Sequence, residues 1–272
     1  MNISARLRSV TLAALLVAAA GACAQQSTTA YEPAVGQEGK DVVWVPTPQA
    51  VVDRMLDMAK VTPKDYLMDL GSGDGRTVIT AAKRGLRATG IEYNPDMVEL
   101  SKRNAEKEGM SARAEFKKAD LFETDFSQAT VITMFLLPDI NLRLRPKILD
   151  MKPGTRVVSN TFTMGEWDAD ETQTVGEASG YYRTALLWIV PAKVEGTWKS
   201  DHGDVTFSQA FQKIAGSVKA SNGSVQLNGK LRGDAISFTA GGSEFTGKVN
   251  GNTIEGTMKT GGKSVPWKAT RS

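Results

Sequence analysis

Asp69-Leu70-Gly71-Ser72-Gly73-Asp74-Gly75 closes the short apolar run Tyr66–Leu70 and leads into Arg76-Thr77-Val78-Ile79-Thr80-Ala81-Ala82, whose apolar residues begin a helix. A buried strand, a glycine turn and a helix, in that order, start a β-α-β crossover in a parallel sheet. The flanking sequence repeats the alternation. Upstream, Val51, Val52, Met55, Leu56 and Met58 fall at largely helical spacing behind Thr47-Pro48, a capping residue before a proline at the first helical position. Downstream, strands are expected at 88–93, 114–118, 130–136 and 156–163, and helices at 95–109 and 140–151. A last strand at 182–190 is expected to be antiparallel and at an edge. The pattern predicts an α/β fold, Rossmann-like, with a mostly parallel sheet and helices on both faces.

The glycine loop sets the chemistry. Glycines permit the tight turn, let a ligand approach the backbone where a Cβ would block it, and aim helix N-terminal amides at that ligand. Glu92 lies 21 residues beyond Gly71, at the carboxyl end of the second strand, where a carboxylate can accept both hydroxyl protons of a ribose. A dinucleotide loop runs G-x-G-x-x-G and leaves room for a pyrophosphate. Here the spacing is G-x-G-x-G with Asp74 inside, which would repel phosphate and favour a ligand carrying positive charge.

These residues resemble the first motif of class I S-adenosylmethionine-dependent methyltransferases. Ile91-Glu92-Tyr93 resembles their ribose-binding strand end, and Ala119-Asp120-Leu121-Phe122 the position where an acidic residue meets the adenine amino group. The resemblance covers about residues 42–190 and implies S-adenosyl-L-methionine as cofactor. It would be held by Asp69, Gly71, Ser72, Gly73, Asp74, Gly75, Glu92, Tyr93, Asp120 and Leu121. Taken without the resemblance, the glycines could form only a packing loop and Asp120 an ordinary strand-end turn.

A narrower likeness is to small protein-lysine methyltransferases of the ATP synthase c-subunit type and their bacterial relatives. It rests on Val45-Pro46-Thr47-Pro48, Leu70 to Arg76, Glu92-Tyr93-Asn94-Pro95 and Phe162-Thr163-Met164-Gly165-Glu166-Trp167. The likeness implies a protein lysine amine as methyl acceptor, with a small molecule as the other class of acceptor. Phe135-Leu136-Leu137-Pro138 replaces the Asn-Pro-Pro-Tyr pattern of amino-methylating enzymes that act on nucleobases or glutamine, so nucleic acid is disfavoured. Candidates for the acceptor channel are Trp44, Phe135 and Trp167, with Asp139 as a candidate base by position; the two tryptophans fit a core role equally well. In-line methyl transfer depends on positioning and needs no metal.

Composition sharpens the exclusions. With one cysteine and one histidine in 272 residues, the chain can form neither an intramolecular disulfide nor a thiolate or histidine-rich metal site. His202, in Asp201-His202-Gly203, is expected on a surface turn. Arg6 and Arg8 precede the uncharged run VTLAALLVAAA at 10–20 and Ala22-Cys23-Ala24-Gln25, the three parts of an export signal. Its apolar run of 11 residues is short of the roughly 20 a membrane-spanning helix needs. Cleavage after Ala24 would remove the cysteine, whereas cleavage before Cys23 would leave a lipid anchor there. The expected location is therefore periplasmic or secreted, or cytoplasmic if the signal is inefficient.

The net charge of +3 is unevenly divided: residues 25–190 carry −4 and residues 191–272 carry +5. The basic segment alternates apolar positions between Asn222-Gly223, Gly233-Asp234, Gly241-Gly242, Asn250-Gly251 and Gly261-Gly262, which are hairpin turn signals. It predicts an antiparallel meander or small barrel in an accessory role, docking a substrate protein or an anionic surface. The expected organisation is a signal peptide at 1–24, a flexible leader at 25–41, a methyltransferase domain at 42–192 and a β domain at 193–272. Export separates a chain from cytoplasmic S-adenosylmethionine, so a second reading is an exported nucleoside or small-ligand binding protein that keeps the fold without catalysis.

Overall fold

The computed structural model describes residues 31–176, 180–220 and 223–272. The expected export signal at 1–24, Cys23 included, lies outside them. Among the described residues, no helix is long and apolar enough to cross a membrane.

The elements run α1 (Gln49–Met58), β1 (Tyr66–Leu70), α2 (Arg76–Lys83), β2 (Arg87–Glu92), α3 (Pro95–Lys107), β3 (Ala114–Lys118), β4 (Val131–Met134), α4 (Pro138–Leu149), β5 (Arg156–Asn160), β6 (Glu171–Thr174) and β7 (Thr184–Ile189). They form one seven-stranded sheet in the order β3-β2-β1-β4-β5-β7-β6. The first five strands are mutually parallel, and β7 runs antiparallel to β5 and β6. Period-two alternation divides the core into two layers. Leu67, Ala88, Val131 and Val158 pack with α1, α2 and α3, while Met68, Ile132, Met134, Val157 and Trp188 pack with α4. Burial on both faces is why the central strands read as continuous apolar runs. The strand order reverses between β1 and β4, and this switch point places a crevice beyond their carboxyl ends.

Local differences from the sequence expectation have local causes. The cap of α1 is Pro48 and no side chain caps the helix; Thr47 is buried and its carbonyl accepts from Arg76 (3.0 Å). The fifth strand stops at Asn160 because Thr161 turns the chain at φ 63°. The last strand, β7, is not an edge strand. Outside it lies β6, Glu-Thr-Gln-Thr, a polar four-residue segment with no apolar alternation to announce it.

The remaining strands are β8 (Gly196–Ser200), β9 (Asp204–Ala210), β10 (Lys213–Ala220), β11 (Gly223–Arg232), β12 (Ala235–Ala240), β13 (Ser243–Asn250), β14 (Thr253–Thr260) and β15 (Lys263–Arg271). Consecutive strands pair antiparallel, and β15 returns to β8, with Arg271 opposite Trp198, so the meander is a closed eight-stranded barrel. Of the expected hairpin turns, the one between β10 and β11 falls at 221–222, outside the described residues. Trp198, Phe207, Phe238, Phe245 and Trp267 fill the interior with aliphatic residues from the other strands. Phe238 stacks on Phe245 at 4.5 Å and meets Trp267 edge-on at 5.5 Å. His202 sits in the exposed β8–β9 turn, as expected.

Tight coiling needs close strand approach at particular positions. A Cβ on Gly256 would lie 1.9 Å from the Thr246 carbonyl oxygen of the neighbouring strand. Gly256→Ala should therefore push β13 and β14 apart and destabilise the barrel by about 1–3 kcal/mol. Urea unfolding followed by tryptophan fluorescence checks this, the expected result being a lower midpoint than wild type.

Candidate active site

The crevice at the carboxyl ends of β1, β2 and β4 is lined by the glycine loop, by the ends of β2, β3 and β4, and by residues 37–47. Glu92 organises it. Its Oε2 accepts from the Gly73 amide (3.0 Å) and its Oε1 from the Asn94 amide (2.9 Å), which orients the carboxylate and leaves further lone pairs for ligand hydroxyls. Gly73 is at φ 54°, and a Cβ there would lie 2.7 Å from Nε1 of Trp44. The loop is secured from behind as the Ser101 hydroxyl donates to the Gly73 carbonyl (2.8 Å) and the Asn104 amide to the Asp74 carbonyl (2.9 Å).

Of the residues expected to hold the cofactor, Asp69, Gly71, Ser72, Gly73, Asp74, Glu92, Tyr93, Asp120 and Leu121 line this pocket. Gly75 stands behind it, where an added Cβ would meet the Phe116 ring at 2.8 Å, so its glycine serves helix–strand packing. Asp74 differs from expectation in its charge. Arg76 chelates it with contacts of 2.6–3.1 Å, so the loop carboxylate is already paired within the chain.

Asp69 is a buried acid with no cationic partner among the described residues. It lies at the end of β1, where it accepts from the Thr133 hydroxyl of β4 (2.7 Å). Burial pushes its pKa up to about 7, the Thr133 bond opposes the rise, and the charges of Glu92 and Asp74 add to it.

Residues 37–41, expected within a flexible leader, fold over the pocket. The Gly36 amide donates to the Trp44 carbonyl (2.8 Å) and the Trp44 amide to the Gln37 carbonyl (2.9 Å), closing a small loop. Lys40 from that loop pairs with Asp120 and lies 4.6 Å above the Tyr93 ring. The Lys40 ammonium holds the Asp120 carboxyl below the usual range, as does the Phe122 amide, which donates to it (2.9 Å).

The other end of the pocket is aromatic. Phe135 after β4, Phe162 after β5 and Tyr182 before β7 converge with ring centroids 5.1–5.8 Å apart. Phe162 is placed there by Thr161, a β-branched residue in the left-handed region whose amide donates to the Thr184 carbonyl (2.6 Å). Of the acceptor-channel candidates, Phe135 takes part in this wall. Trp44 lines the pocket at the glycine loop instead. Asp139 is exposed on the first turn of α4 and does not line the pocket. Trp167 is fully buried between Trp188 and Phe211 and is a core residue. Phe162 carried a signal in the 162–167 motif; Tyr182 and residues 37–43 carried none as site residues.

A switch-point crevice with a glycine loop and a doubly anchored strand-end carboxylate defines a class I S-adenosylmethionine-dependent methyltransferase. The model of the family described as the ANTKMT methyltransferase domain matches residues 69–171. A protein-lysine N-methyltransferase of Saccharolobus islandicus is 45% identical over 152 residues, which are 55% of this chain and 94% of that protein. The chain belongs to this family of methyltransferases. The human lysine N-methyltransferase of the ATP synthase c-subunit is 34% identical over 134 residues, and the chain spans 57% of its length. The crystal structure of an RNA methyltransferase from Salinibacter ruber in complex with S-adenosyl-L-homocysteine is 46% identical, with a TM-score of 0.52, covering 55% of this chain and 96% of that one.

The residues present fit S-adenosylmethionine. The Glu92 lone pairs suit a ribose, and the buried Asp69, short of counter-charge, suits a sulfonium and an ammonium. Two opposite effects of Asp69→Asn follow. The folded-state pKa of Asp69 is above its unfolded value, so its contribution to stability is present at acid pH and declines as pH rises from about 4 to about 7. At pH 8 the neutral amide should stabilise the ligand-free protein, on the order of 1–2 kcal/mol, because no charge is buried. Its affinity for S-adenosylmethionine should fall at the same pH, and the proton released on binding near pH 6.5 by wild type should disappear. Thermal unfolding and calorimetric titration in buffers of differing ionisation enthalpy check both.

Proposed function

We propose that this enzyme methylates the ε-amine of protein lysines. The observation that carries the reading is the aromatic wall of Phe135, Phe162 and Tyr182 in the lining of the cofactor pocket. Aromatic faces attract an alkylammonium group as it arrives and exclude water as it docks. Desolvation there lowers the lysine pKa, so the ammonium gives its proton to water before it is enclosed; the lone pair of the neutral amine then displaces the methyl group from sulfur, leaving a methylammonium and a neutral thioether. S-adenosylmethionine, when bound, supplies that methyl group on a sulfonium leaving group. Glu92 and Asp69 hold the cofactor end, so the chain's contribution to the transfer is alignment of the two partners. The names of the Saccharolobus and human relatives support a lysine acceptor.

The name of the Salinibacter relative favours RNA as a second reading. Residues 25–190, which contain the pocket, carry a net charge of −4, opposite to what phosphate contacts require. Incubating the full chain with cell extract and methyl-tritiated S-adenosylmethionine separates the two. The expected outcome is label in the protein fraction, recovered after acid hydrolysis as methylated lysine; label in RNA would establish the second reading instead. Changing Glu92 to Ala should remove transfer and cofactor binding together.

We also propose that residues 1–24 direct export, which is supported by the paired arginines, the short apolar run and the small residues before Gln25. Fractionation and sequencing of the mature N-terminus test it: the expected terminus is Gln25 in an exported fraction, a lipid-modified Cys23 would indicate an anchored protein, and an intact Met1 in the cytoplasm would refute export.

A further inference from the structure

Five of the barrel's two-residue hairpin tips lie among the described residues, and four carry glycine: Gly233-Asp234, Gly241-Gly242, Gly251-Asn252 and Gly261-Gly262. The fifth, between β9 and β10, is Phe211-Gln212, with Phe211 held at φ 56°. Tight hairpins favour glycine or asparagine at such angles, and a bulky side chain there strains the backbone. The substitution coincides with contact. The Phe211 ring stacks on Trp167 (6.1 Å between centroids, 12° between planes), and the Arg145 guanidinium of α4 lies 5.2 Å from its centroid. Beside it the Gln212 amide donates to the Asp168 carbonyl (2.8 Å), and Lys213 pairs with the Asp168 carboxylate.

Trp167 and Asp168 end a segment that begins at Phe162, one side of the aromatic wall. α4 holds the segment along its length. The Asn141 amide donates to the carbonyls of Phe162 (3.3 Å) and Thr163 (3.1 Å), and the Arg145 guanidinium donates to that of Met164 (2.8 Å). Met164 then bridges to Trp167. The tip of β9–β10 thus covers Trp167 and touches Arg145, two points on which the segment's course depends. The Saccharolobus relative, nearly all of which is matched within 55% of this chain, is too short to contain a barrel of this kind.

We propose that the barrel is a positioning element of the acceptor site, acting through Phe211 and Gln212 on residues 162–168 and so on Phe162. No barrel residue lines the pocket, whose glycine-loop end is built from β1, β2 and β4. The consequence for lysine methylation rests on the proposed function; the mechanical coupling does not.

Two measurements on the full-length chain separate these. Phe211→Gly removes the ring yet accepts the backbone angle, so its effect is not one of added strain. In hydrogen exchange, amides of residues 162–168 should exchange at least tenfold faster in the folded variant, with those of β1 and β2 unchanged. With extract protein as acceptor, the half-saturating acceptor concentration should rise at least fivefold while the dissociation constant for S-adenosylmethionine stays within twofold. Phe211→Tyr should restore both. Gln212→Met, which removes only the bond to Asp168, should move the same two readouts in the same direction and serves alone if Phe211→Gly does not fold. Unchanged exchange at 162–168, or faster exchange with an unchanged acceptor dependence, overturns the proposal. If wild type labels no lysine, the functional reading fails, and the exchange result alone then decides the coupling.

Discussion

The site is organised by one carboxylate with two backbone tethers. Glu92 binds the amide of Gly73 across the crevice and the amide of Asn94 in its own chain, joining the β1–α2 loop to the β2–α3 turn. Much of the local sequence serves that geometry. Gly73 must be a glycine because Trp44 covers it at contact distance, and Asn94 also caps α3 by accepting from the Asp96 amide (2.9 Å). Backbone donors that are already fixed cost no reorganisation when a ligand arrives, so the ribose end of the pocket is preformed. The acidity is distributed to the same end. Asp74 is neutralised by Arg76, Asp120 by Lys40, and Asp69 is left as the buried acid that a cationic ligand can satisfy.

What the sequence made legible follows from range. The glycine loop, Glu92 and the strand–helix alternation are written within a few residues of one another, where spacing carries the geometry. The hairpins from β10 onward were equally plain from their turn dipeptides, but the β9–β10 tip Phe211-Gln212 carries no such signal, and closure depends on pairing residues 198–200 with 269–271. Phe135, Phe162 and Tyr182 come from three separate segments, and no local pattern announces their convergence. Trp167 was left open between a channel and a core role for the same reason: a ring that packs on it belongs to Phe211, in the other domain. β6 and the Gln37–Lys40 loop escaped because polar segments without periodicity look alike whether they are folded or not.

The charge division along the chain also takes on a different meaning. The surplus of +5 in residues 191–272 suggested an anionic partner. Part of it faces the acidic domain of the same molecule, with Lys193 on Asp150 and Lys213 on Asp168. Lys230 and Arg232 lie near enough to Asp170 to oppose the rise in its pKa that burial causes. Exposed pairs of this kind contribute little energy individually, but opposite signs favour one docking orientation over its alternatives.

A closed barrel has no end strands. Its eight strands add more sheet than the methyltransferase domain contains, yet every one is paired on both sides, and among the described residues the open sheet edges are those of β3 and β6. The first carries Glu115, Lys117 and Lys118, and the second is four polar residues long. Neither offers a long apolar ladder to an extended peptide. An extended peptide therefore finds no strand on the barrel to lengthen.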